Sequence, residues 1–153
     1  SVNLWFLWVF GRAVESRLNS VYFTLIFFAS TWGAAVGHCL THQGSLLPLV
    51  GSSGGIAGIL GAFLVLHPRA RIKAVLFLPI PFLFKLPVYA YVGIWLFLQT
   101  VLIVFVPSPN SENAWIAHVI GLLCGLFLTV SLKKFQAFYS VAGQSPCLSP
   151  KPK

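Results

Sequence analysis

The chain contains no aspartate and no methionine, and its only acidic residues are Glu15 and Glu112, against ten Lys and Arg. Glu15 falls beside a basic stretch and Glu112 in a polar connection, so a third carboxylate is hard to supply for any nucleophile and base held in the apolar sequence. Without methionine there is no initiator, and the chain opens inside apolar sequence at Ser1-Val2-Asn3-Leu4-Trp5. The expectation is a fragment lacking its N-terminal part. No basic region or small-residue cleavage site precedes the first apolar run, so nothing in the sequence resembles a signal peptide. Charged residues are only 8% of the chain, far from the roughly 25% of soluble domains. The basic residues form no face interleaved with aromatics, which argues against nucleic acid as a partner. Cys39, Cys124 and Cys147 lack metal-ligand spacing, and two of them lie in apolar runs where Cys behaves as a small hydrophobe. No metal is expected.

What the chain does have is apolar length. Hydrophobic residues make up 58% and the mean hydropathy is +0.88, the composition of a multi-pass membrane protein whose first partner is the lipid bilayer. Residues 1–10 read as part of a span, followed by Val21 to about Leu40, Ser53 to Leu66, Leu86 to Val106 and Ala114 to Leu132. Residues 74–84 are apolar but short and broken by Pro79 and Pro81, so they are expected at the interface, not across the membrane. With that layout every Lys and Arg falls on one side, while the opposite loops, 41–49 and 107–113, carry none and hold Glu112. The positive-inside rule then puts the basic loops and the C-terminus in the cytoplasm. Residues 136–153, with Pro146, Pro150 and Pro152, read as a flexible cytoplasmic tail.

Two polar groups interrupt the apolar stretches. Gly51-Ser52-Ser53-Gly54 opens one of them and Ala117-His118-Val119-Ile120-Gly121 lies near the start of another. A buried hydroxyl or imidazole costs free energy unless it serves a partner or a substrate, so such residues mark a candidate site. Both helices enter from the outer face, and at about 1.5 Å rise per residue Ser53 and His118 reach similar depths. Gly51, Gly54, Gly55, Gly58 and Gly61 bare one face, and Gly121 and Gly125 form a matching stripe. Small residues at this spacing let membrane helices approach closely enough for a hydroxyl to meet an imidazole. Taken separately, the same glycines are explained by helix packing alone, with Ser53 bonded back to its own helix.

Taken together, the residues resemble the rhomboid intramembrane serine proteases. Gly51-Ser52-Ser53-Gly54 with Gly58 and Gly61 is similar to the family's GxSG element, and Ala117-His118-Val119-Ile120-Gly121 with Gly125 to its AHxxGxxxG element. Leu7-Trp8-Val9-Phe10-Gly11 with Val14-Glu15, His67-Pro68-Arg69-Ala70-Arg71-Ile72, and Leu86-Pro87 leading to Trp95 and Gln99 are similar to bacterial members. The resemblance implies an all-α, polytopic transmembrane bundle with five of six core helices present, and a membrane protease domain over residues 1–135. It implies Ser53 as nucleophile and His118 as general base and acid, a dyad without organic cofactor, with Gly51, Gly54, Gly58, Gly61, Gly121 and Gly125 packing the site. The oxyanion would be met by the Ser53 backbone N–H and by Asn3, which stands eight residues before Gly11 as in the family's HxxxN element; the matching His would precede Ser1. Losing that donor would weaken the fragment. The substrates implied are transmembrane proteins, cut in or beside their spans, in a bacterial cytoplasmic membrane with the site open to the outer face.

Other readings stand beside this one. A non-catalytic relative binding transmembrane clients would keep the fold without the reaction, and a transporter would show a repeat that is not visible here. Ser52 is the competing nucleophile. Ala57 stands where some members place an aromatic ring against the catalytic His, so support for His118 is expected from elsewhere. His38 and His42, four residues apart, read as a water-facing interfacial pair, and His67 as a helix-end cation site. The loop 41–50 is a candidate gate for water.

Overall fold

The computed structural model describes residues 2–41, 52–77, 81–105 and 109–142, with side chains described for all of these except 2, 73–77, 81–84, 102–103, 109–114 and 139–142. Gly51, residues 42–50 of the loop considered as a gate and residues 143–153 therefore lie outside the described residues. The elements in order are α1 (Val2–Phe6), a π-helical turn (Leu7–Gly11), α2 (Arg12–Leu18), α3 (Ser20–Thr41), α4 (Ser53–Leu66), a hairpin of β1 (Arg71–Phe77) and β2 (Pro81–Pro87), α5 (Val88–Phe105) and α6 (Pro109–Ala142).

Four features differ from the sequence expectation. The first apolar run does not stop at residue 10, because helix continues to Leu18 with Val14 and Leu18 buried on one face and Arg12, Ser16 and Arg17 exposed on the other. Asn19 ends it: φ is 71° there, a conformation uncommon outside glycine, and its Oδ1 accepts the backbone N–H groups of Val21 (3.0 Å) and Tyr22 (3.2 Å), capping α3. Residues 109–113 are not part of an open loop either, since α6 begins at Pro109. Proline in the first helical position and Glu112 in the first turn are start signals that outweigh the polar composition of Asn110–Asn113. The third difference is the hairpin in place of a plain interfacial segment, with register running from Arg71↔Pro87 to Phe77↔Pro81. Its prolines sit at the ends of β2, where a missing N–H is tolerated, and the Val88 N–H donates to Ala70 carbonyl (3.0 Å), tying the hairpin base to the start of α5. The bundle is helical as expected, with this two-stranded exception among the described residues. At the C-terminal end α6 runs to Ala142, seven residues into the stretch read as tail.

The core gathers around α4, which is buried without interruption from Gly54 to Phe63. A helix apolar on every side belongs inside a bundle. At about 1.5 Å per residue its 14 residues span only about 21 Å, so the surrounding helices, not α4, meet the apolar solvent. Ser20–Thr41 and Trp115–Phe138 are long and apolar enough to cross a bilayer, with mean hydropathy 1.4 and 2.1, yet only 22% and 28% buried within the molecule. The core helix of a soluble domain would be mostly buried. Ser53–Leu66 and Val88–Val101 are shorter apolar helices. Large side chains such as Trp32 (76% exposed), Phe105 (77%) and Phe127 (69%) point outward, a circumference suited to lipid and unsuited to water. The chain is an integral membrane protein.

Candidate active site

Ser53 is the first residue of α4 and is partly buried, while Ser52 before it is exposed and makes no side-chain capping bond. The first N–H groups of a helix have no acceptor within it, so the backbone around Ser53 presents donors and the positive end of the helix dipole. From this end α4 runs along α6 at backbone contact. A Cβ built on Gly121 would collide with the Gly54 carbonyl, one on Gly125 with the Gly58 carbonyl, and one on Gly61 with the Leu122 carbonyl. On the other side, a Cβ on Gly54 would meet Ala34 of α3, and one on Gly58 would meet the buried Ser30 hydroxyl. Five of the six packing glycines read from the sequence thus stand in this seam; Gly51 lies outside the described residues. A Cβ on Gly54 would also lie 3.5 Å from the Ala117 carbonyl. Their neighbours, Ser53 and His118, therefore stand at one level of the seam on facing helices. Between the described side chains of Ser53 and His118 there is no hydrogen bond. Because α6 starts at Pro109, His118 lies more than two turns into its helix, deeper along it than the one turn expected.

The imidazole is held from α5. His118 Nδ1 is 2.5 Å from Gln99 Oε1, and the Trp95 ring lies 5.3 Å away, tilted by 41°. Trp95 and Gln99 are four residues apart and continue the inward face of α5 begun by buried Val88 and Val92. Ala57, buried in α4, leaves this supporting role to the α5 pair. From the sequence alone Trp95 and Gln99 stand only as points of resemblance. The available signal was a single amide, one helical turn after a tryptophan, in a largely apolar run from Val88 to Phe105. Gln99 Nε2 and Trp115 Nε1 are buried without a hydrogen-bond partner among the described residues.

The remaining candidates fall elsewhere. Asn3 is exposed on α1, and no hydrogen bond joins it to Ser53 or His118 among the described residues. Glu15 accepts the Ser20 hydroxyl (2.7 Å) at the α2–α3 turn. His38 is only 6% exposed, so it is not the water-facing residue expected; α3 turns it toward the interior with Ile26, Ser30 and Ala34. His42 lies outside the described residues. His67 ends α4 at the far end from Ser53, stacked 4.8 Å from the Phe63 ring. Burial, and then the nearby Arg17 charge, hold its pKa below the ordinary value. Together with Arg17 and Arg69 it lines an open cavity of about 330 Å³.

Compared with known proteins, residues 1–135 match the family model of the Rhomboid domain. No curated protein and no solved structure matches the chain.

Proposed function

The chain belongs to the rhomboid family, and on that premise we propose that it is an intramembrane serine endopeptidase acting through Ser53 and His118. The observation that supports this reading is the seam in which Gly54, next to Ser53, approaches Ala117 and Gly121 on either side of His118. In the proposed reaction Ser53 Oγ bonds to the carbonyl carbon of a substrate peptide while its proton passes to His118 Nε2. The developing oxyanion faces the backbone N–H groups at the start of α4, with the Asn3 amide as a second donor brought in by the family pattern. The C–N bond then breaks as His118 protonates the departing amine; water gives a proton to His118 while its oxygen bonds to the acyl carbon, and the Oγ–C bond breaks as Ser53 Oγ takes that proton back.

The substrates are spans of other membrane proteins, reached through the bilayer. The shortness of α4 supports a water route, since its N-terminal end need not reach lipid and stays recessed below the rim of longer helices. Arg17 and Arg69 share one cavity at the opposite end of α4, and Arg71 and Lys85 stand near the hairpin base. This clustering supports a cytoplasmic basic end and an active site facing outward. Residues 1–135 serve as the protease domain and 136–153 as its cytoplasmic appendage.

A fluorophosphonate probe tests the assignment in the full-length protein, because attack by Ser53 Oγ forms an O–P bond, expels fluoride and hands the proton to His118. Labelling at Ser53, abolished in Ser53→Ala and reduced by at least about 10²-fold in His118→Ala, is the expected result. A relative that only binds transmembrane clients would take no label. Labelling that survives Ser53→Ala refutes the assignment.

A further inference from the structure

We infer that Gln99 is a positioning residue that fixes the tautomer of His118, an inference that rests on the dyad proposed above. Neutral imidazole carries its single N–H on either ring nitrogen, and only the nitrogen without it accepts a proton. With Gln99 Oε1 at 2.5 Å from Nδ1, the proton must sit on Nδ1, because a carbonyl oxygen accepts and does not donate. Nε2 is then the free base. The Trp95 ring beside the imidazole restricts its rotation, so tautomer and direction are set by two residues of one helical face.

The arrangement suits a chain without aspartate. In a Ser-His-Asp triad a carboxylate holds Nδ1–H and stabilises the imidazolium, at the cost of burying an additional charge. An amide performs the orienting half of that role with a dipole and no net charge, which is less costly in an apolar bundle. The reverse amide orientation would place the Gln99 NH₂ against Nδ1 and drive the ring proton onto Nε2, where it blocks the base. Glutamate at this position, when ionised, can only accept, so it separates the two orientations chemically.

The test measures fluorophosphonate labelling and cleavage of a single-span substrate by the full-length protein, as wild type, Gln99→Leu and Gln99→Glu, with Ser53→Ala as control. Gln99→Leu is expected to lower kcat by about 10²-fold with KM nearly unchanged, and Gln99→Glu to recover most of that loss. Thermal midpoints identify a variant that fails to fold; if Gln99→Leu does, folded Gln99→Glu decides alone, at or near the wild-type rate if Gln99 accepts from Nδ1. The inference is overturned if folded Gln99→Leu works within about threefold of wild type, or if folded Gln99→Glu is as impaired as loss of the contact would make it. Activity that persists in Ser53→Ala instead removes the dyad itself, a distinct failure.

Discussion

From Gly54 to Gly61, α4 presents bare backbone to the backbone of α6 and to the small side chains Ser30 and Ala34 of α3. Beyond Gly61 it meets its neighbours through rings: Phe63 stands edge-on to Phe10 at 5.1 Å and Phe10 lies 5.9 Å from Tyr91, while His67 at the end of α4 stacks on Phe63. In a bilayer there is little hydrophobic drive between helices, so both contacts depend on packing. They differ in tolerance. A backbone contact fixes the distance between two helices and offers no rotamer to absorb an error, whereas ring packing adjusts. The exacting contact lies at the end that holds Ser53 and His118, and the adaptable one at the basic end.

Substitutions that add or remove one group on each side probe this contrast. The largest effect is expected from Gly121→Ala or Gly125→Ala, whose methyl group must displace the α4 backbone; a loss of more than about 3 kcal/mol and of all labelling should appear in detergent unfolding and probe assays. Next comes Phe10→Ala, which removes a ring from the adaptable end. A cost of about 2 kcal/mol is expected, below the usual value for soluble cores because no transfer from water is involved, with labelling retained at temperatures where the protein stays folded.

A smaller, pH-dependent effect belongs to His67. Its folded pKa lies below its unfolded value because of burial and Arg17, so the unfolded chain takes up the proton first. This contribution to stability is complete above the unfolded value of about 6.5 and is lost as pH falls below it. The thermal midpoint of wild type should therefore drop on acidification more than that of His67→Gln; equal slopes would refute the assignment. The smallest effect is Gly93→Ala on α5, where an added Cβ meets nothing within 4 Å. Better helix propensity should stabilise by at most about 1 kcal/mol with no change in activity. Substantial destabilisation there would show that glycine in this bundle is constrained for reasons other than close contact.

Much of the seam was legible because glycine spacing reports directly on helix approach: Gly54, Gly58 and Gly61 on one helix and Gly121 and Gly125 on the other needed no tertiary information to be paired. The bounds of α4 were legible for the same reason, an apolar run opened by small residues. The hairpin was not, because residues 74–84 read as a short apolar run broken by Pro79 and Pro81 with no clean alternation, a pattern that does not separate strand from interfacial chain. The entry of α6 was missed because polar Asn110–Asn113 resembles a loop until Pro109 is recognised as a helix start. Burial of His38 depended on which face of α3 meets the bundle, and with apolar residues all around that helix no periodicity marks it. Gln99 was visible as a lone amide, but its partner lies on another helix and only the packing of α5 against α6 joins them.

The central claim is that the glycine seam brings Ser53 and His118 together for hydrolysis. Reconstituting the full-length protein in liposomes with a single-span substrate, and sequencing the ends of any products, tests it most directly. The account requires two fragments from wild type and none from Ser53→Ala, His118→Ala or Gly121→Ala. Cleavage at the wild-type rate in folded Gly121→Ala, or any cleavage that survives Ser53→Ala, would contradict it.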